Sequence, residues 1–162
     1  MTASFKALLE RQIGIEATPS VVWEIIRDVR RMSQWSPQVI SVKLRESDDD
    51  VGLGSTFTNL NRQGELEWVT HGEVVRYEAE KEIAFRIAEN YAIWSFSISA
   101  DGAAVTVLTQ RRETPDGISQ LSLDLTESHL GGQRAFTELL EAGMEQTLAA
   151  IKACAESGTA TR

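Results

Sequence analysis

The sequence is poor in several residue types, and each shortage removes a class of protein. Its 162 residues hold one cysteine, three prolines and two histidines. A lone Cys154 excludes an internal disulfide framework and a zinc site built on several thiolates. No run approaches the roughly 18 consecutive apolar residues of a membrane-spanning helix. Residues 1–10 carry one lysine and no long apolar stretch, which is not the pattern of a secretory leader. Basic residues are the minority, 16 against 24 acidic ones, for a net charge of −8. Nucleic acid and anionic membranes call for basic stripes, so neither is expected as a partner. The G-x-G at Gly52–Gly54 lacks a third glycine and precedes no helical pattern, so it reads as a turn. There is no G-x-S-x-G elbow. What remains is a single domain over residues 1–162, expected to be soluble and cytoplasmic, with 157–162 as a frayed tail.

What is present is patterning. Leu9, Ile13, Ile15 and Ala17 alternate with polar residues, the period of a half-buried strand, with Arg11 interrupting the apolar face. Thr18-Pro19 then reads as an N-cap followed by a first helical residue. Val22, Trp23, Ile25, Ile26 and Val29 give the helix after it an apolar face. Residues 30–35 form a second short helix, stopped by Pro37. Strand patterns follow at 39–45, 55–61, 65–77, 83–88, 91–99 and 103–113, with short turns that favour antiparallel hairpins. Residues 46–50 read as an acidic hairpin tip without the ligand spacing of a calcium loop. Segment 114–129 breaks the rhythm; flap, short strand and helical lid are all compatible with it. From Gln133 to about Glu156, Phe136, Leu140, Met144, Leu148 and Ile151 recur at threes and fours, marking one long helix.

Strands in series with helices at the ends make an α+β plan: a curved antiparallel sheet of six to seven strands, two short helices after the first strand, and a long C-terminal helix. A helix of about 24 residues spans roughly 36 Å but is only about 10 Å wide. It cannot fill the concave side of so wide a sheet, which leaves an apolar cavity of the kind that binds small molecules.

The run Ile15-Glu16-Ala17-Thr18-Pro19-Ser20-Val21-Val22-Trp23, with Asp28-Val29 and Trp35-Ser36-Pro37 after it, resembles the opening of the polyketide cyclase/dehydrase and lipid-transport family of the START-like (SRPBCC) superfamily. The closing Gly143-Met144, Thr147-Leu148 and Ile151-Lys152 resemble that family's C-terminal helix. The resemblance implies a helix-grip fold, a sheet wrapped around the last helix with a hydrophobic pocket between. It does not imply one chemistry.

Trp68, Trp94 and Phe96 fall on faces read as inward, and aromatic rings in a cavity stack on planar or hydrocarbon ligands. With Phe57, Phe85, Phe136, Leu140 and Met144 they form a candidate lining, against the alternative that any one is ordinary core. Met32 and Trp35 sit near one mouth of the resembling fold; Trp35 equally suits a seal between helix and sheet. Thr70 places a hydroxyl on the apolar side of its strand. Arg111 follows Val105, Val107 and Thr109 on one face; inward, it would meet a carboxylate or phenolate, outward, it would pair with Glu113 or a neighbouring strand. Arg11 has the same ambiguity. His71 shares the opposite face from Trp68 and Thr70 and is expected on the wet side. His129 and Cys154 have no partner at ligand spacing, so no metal, cofactor or catalytic residue is assigned. Three functions stay open: a carrier of a small hydrophobic molecule such as a lipid or polyketide-like compound, a cyclase or aromatase, and a regulatory or toxin-like protein acting through a partner. Cyclisation needs a positioned acid or base. The titratable groups read as inward, Arg11 and Arg111, are poor bases, which favours binding. No oligomeric state is assigned.

Overall fold

The computed structural model describes residues 7–45, 49–102 and 104–161, with side chains up to Ser157. Part of the acidic tip at 46–50 and the expected start of the last strand at Ala103 therefore lie outside the described residues. Seven strands, β1 (Leu8–Ile15), β2 (Val39–Leu44), β3 (Thr56–Gln63), β4 (Leu66–Glu78), β5 (Glu82–Ile87), β6 (Ile93–Ala100) and β7 (Thr106–Glu113), form one antiparallel sheet in the order β1-β7-β6-β5-β4-β3-β2. Helices α1 (Pro19–Ile26) and α2 (Met32–Trp35) follow β1; α3 (Gln120–His129) and α4 (Gln133–Thr161) follow β7. The sheet curves around α4, the helix-grip arrangement. The long helix starts where its pattern predicts and continues past Glu156 to Thr161.

Thr18 holds the extended N-cap backbone and Pro19 the first helical position, but the Thr18 hydroxyl does not cap. It lies 3.2 Å from the Ser20 hydroxyl instead. The helix is held by burial: Val22, Trp23, Ile25 and Ile26 are all 5% exposed or less. They pack with Ile15, Ile83, Leu108, Leu148, Ile151 and Ala155, each 2% exposed or less. A fully buried aliphatic side chain contributes about 1.5–3 kcal/mol. Tyr77, just past a register shift between Val74 and Arg76, sits edge-on to Trp23 at 5.3 Å between ring centroids.

Gly72 is required by a neighbour. A Cβ there would lie 2.3 Å from Cζ of Phe57, whose ring packs across the bare backbone and edge-on to Phe85 at 5.4 Å.

Segment 114–129, open in the sequence, ends in helix α3. Ser119 caps it by accepting from Ser122 N at 3.2 Å, while its hydroxyl donates to the Glu89 carbonyl at 2.7 Å. Gly131 and Gly132, at φ 83° and 93°, make the left-handed break before α4. The helix buries Leu123 and Thr126 and leaves Leu121 64% and Leu125 45% exposed.

The alternation in β7 runs in the opposite phase to the one the sequence suggests. Thr106, Leu108, Gln110 and Arg112 are buried, at 0%, 0%, 3% and 6% exposure. Arg111 points to the outer face, where it pairs with Glu10 and donates to Ser97 Oγ at 3.2 Å. The apolar look of Val105 and Val107 misleads: Val107 has Gly14 and Ser99 as its cross-strand partners and is only half-buried. Packing on α4 decides which face turns inward.

Candidate functional site

A cavity of about 830 Å³ lies between β3–β7, the N-terminal half of α4, helix α3 and the 36–39 loop. That is within the range of small-molecule sites. The strand register builds its wall in rows. Phe85, Trp94 and Arg112 are successive cross-strand partners on β5, β6 and β7. Phe136, Leu140 and Met144, four residues apart on α4, face the sheet from the other side, and Leu121 and Leu125 of α3, with Ile118 just before it, cover the space.

Of the residues singled out from the sequence, Met32, Trp68, Thr70, Phe85, Trp94, Phe136, Leu140 and Met144 line this cavity. Four are placed elsewhere. Phe57 is 4% and Phe96 2% exposed within the packed core. Trp35 is 8% exposed and carries the Arg31 guanidinium 4.9 Å from its ring centroid. Arg111 is on the outer face, as above. Arg11 reaches α4, 3.1 Å from Glu145 and 3.5 Å from Glu141. His71 lies outward with Glu89 as its partner, and His129 is at the cavity mouth.

Two polar groups lie in the wall, and of their members the sequence reading singled out Thr70 alone. On β3 and β4, Asn59, Asn61 and Thr70 are each 7% exposed. Thr70 Oγ1 accepts from Asn59 Nδ2 at 3.3 Å and from Asn61 Nδ2 at 3.0 Å, and Asn61 also donates to the Trp68 carbonyl at 3.3 Å. Asn59 and Asn61 share the strand parity of Phe57, so period two alone would have turned them inward. On β7 sit Gln110 and Arg112. Burial pushes the Arg112 guanidinium below its ordinary value, and the Glu141 carboxylate on α4 pulls it partly back. It stays charged, since arginine keeps its proton in proteins. Gln110 Oε1 is buried and accepts no hydrogen bond from the described residues.

Residues 6–156 match the family described as polyketide cyclase / dehydrase and lipid transport. The chain belongs to that family. Solved structures of the same fold include the di-domain ARO/CYC StfQ of the steffimycin pathway, with TM-score 0.73 and 13% identity over 95% of this chain. The match covers 52% of StfQ, so this chain spans about half of that protein. A polyketide-cyclase-like protein from Corynebacterium glutamicum aligns at TM-score 0.61 and 22% identity, over 94% of this chain and 93% of its own. The major latex-like protein 151 of Panax ginseng aligns at TM-score 0.58 and 17% identity, over 83% and 95%. No curated protein matches the sequence.

Within this family fold, the chain's buried polar wall is made of amides, hydroxyls and one guanidinium. These groups give and take hydrogen bonds at fixed places in an apolar space. Glu67 and Glu89, the carboxylates among the lining residues, are engaged at the rim by Arg62 and His71.

Proposed function

We propose that the chain binds a small, largely apolar molecule in this cavity. The observation that carries the reading is the 830 Å³ space itself, walled by Phe85, Trp94, Trp68, Phe136 and Leu140 and broken by buried polar side chains on opposite flanks. Apolar contact would supply the affinity, and the polar groups the orientation. The Asn59–Asn61–Thr70 group on β3 and β4 and the Gln110–Arg112 pair on β7 are three to four strand spacings apart, about 14–19 Å along the sheet. That separation favours an elongated ligand with oxygens near both ends over a simple hydrocarbon. Helix α3, whose exposed Leu121 and Leu125 border the cavity, would be the element that moves to admit it.

The test is native mass spectrometry of protein taken directly from cells, where a bound ligand adds a discrete small mass that denaturation releases. Adding the released compound at about 100 times its Kd to stripped protein should stabilise it by about 2.7 kcal/mol, a rise in Tm on the order of 5–10 °C. Protein with no added mass and no shift with fatty acids or aromatic polyketides would end the reading.

A second reading, cyclisation of a polyketide-like chain, has the fold likeness to StfQ and to the di-domain ARO/CYC BexL (TM-score 0.64, 14% identity) in its support. The two differ in what comes back: a carrier returns its ligand unchanged, a cyclase returns it one water lighter, or with a new ring at the same mass.

A further inference from the structure

The β7 pair differs from the rest of the wall. Gln110 and Arg112 lie two residues apart on one strand face, about 6.7 Å along the chain. Gln110 is 3% exposed and Arg112 6%, and both line the cavity. Among the described lining residues, the other basic side chains, Arg62 and His129, are exposed. The neighbouring acid is on the helix side: Glu141, 14% exposed at its side chain, also serves Arg11 at 3.5 Å and is not part of the lining. A guanidinium offers five N–H donors in a planar fork, and one carboxylate engages two of them at best. Arg112 therefore has donor capacity beyond Glu141. Beside it, the buried Gln110 Oε1 accepts no hydrogen bond from the described residues, and an amide oxygen out of water and unpaired is costly. Wall and pair together form a built site: an aromatic face from Trp94 and Phe85 leading to a cationic fork and an acceptor.

We propose that the cavity is selective for apolar molecules bearing a carboxylate, which Arg112 binds, with a hydroxyl on the same molecule donating to Gln110 Oε1. This rests on the cavity-binding reading above and narrows it to one ligand class. The outward turn of Arg111 removes the competing cation, and the burial of Arg112 makes its hydrogen bonds to an anion count for more than they would on a surface.

Three probes of one ring size test it by isothermal titration calorimetry: methyl 2-naphthoate, 2-naphthoate and 4-hydroxy-2-naphthoate, whose meta hydroxyl and carboxylate cannot bond each other. The expected order is ester weakest, acid about tenfold tighter, as for a hydrogen bond to a charged group, and hydroxy acid several-fold tighter again. Arg112→Met should erase the gap between acid and ester while leaving the ester's affinity in place. Gln110→Leu should erase only the hydroxyl gain. An ester that binds wild type as well as the acid overturns the proposal. So does an acid–ester gap that survives Arg112→Met, or a loss of acid and ester alike. If Arg112→Met does not fold, the wild-type series and Gln110→Leu decide. Binding of the ester with no preference for the acid leaves the cavity reading standing and removes this one; binding of none of the three removes both.

Discussion

Toward the end of α4, Leu148, Ile151 and Ala155 are 2%, 0% and 0% exposed; toward its start, Phe136, Leu139 and Leu140 remain half-buried. The same helix crosses the same sheet in both places. The difference lies in what fills the space beside it. Near the C-terminal half, α1 inserts Val22, Trp23, Ile25 and Ile26 and closes the gap. Near the N-terminal half the cover is α3, a short helix with few apolar residues, together with Met32 and the 36–39 segment, and the sheet beneath turns Asn59, Asn61, Thr70, Gln110 and Arg112 inward. One half carries the stability, and the other keeps its side chains apart and holds the polar groups.

The comparison breaks if equivalent truncations cost the same at both ends. Ile151→Ala should destabilise the chain by about 2–5 kcal/mol, the cost of a core cavity. Phe136→Ala, which enlarges a space that already exists, should cost less than about 1.5 kcal/mol, although a fully buried phenylalanine costs about 3–5. Urea unfolding of the two variants measures the gap. Gly72→Ala sharpens the boundary between the halves, because its new methyl meets the Phe57 ring. The expected loss is about 1–3 kcal/mol, and the double variant with Phe57→Leu should cost less than the sum of the two single changes.

A smaller effect belongs to the packed half. Asp50 is held below the usual carboxylate range by the Val51 backbone N–H and then by Arg27, which also reaches Tyr77 and Glu24. A depressed carboxyl stabilises the fold above its ordinary value near 3.9 and loses that contribution as pH falls through the folded value. The urea midpoint of Asp50→Asn should therefore lie below wild type at pH 6 and converge on it at pH 2–3. The smallest effect is expected at α3: Leu121→Ser should move the midpoint by less than about 0.5 kcal/mol while changing the rate at which 2-naphthoate binds.

The alternating strands and the threes and fours of α4 were readable because burial on one side leaves a periodic trace. So was the order of elements, and with it the cavity. Two things were not readable. In β7 both parities carry apolar residues, Val105 and Val107 on one and Leu108 on the other. The choice was made between residues far apart in the chain: Leu108 joins the core with Leu148 and Ile151, and Thr106 donates to the Ala17 carbonyl. It placed Arg112 inward in place of Arg111. In 120–129 the helix rests on a serine cap and two buried residues, Leu123 and Thr126, too few for a visible period. Both gaps fall on the cavity, because a wall that must stay open to a ligand departs from the apolar pattern that makes a core legible.

The strand order has a consequence for how the chain is made. From β2 to β7 every strand pairs with its predecessor or successor, so those hairpins can zip as they emerge. The edge strand β1 pairs with β7 from Leu8↔Glu113 to Ile15↔Thr106, about a hundred residues later. The first strand synthesised is thus among the last to find its place. Until then β7 offers an open edge, and its inner face, Arg112 included, stays in water.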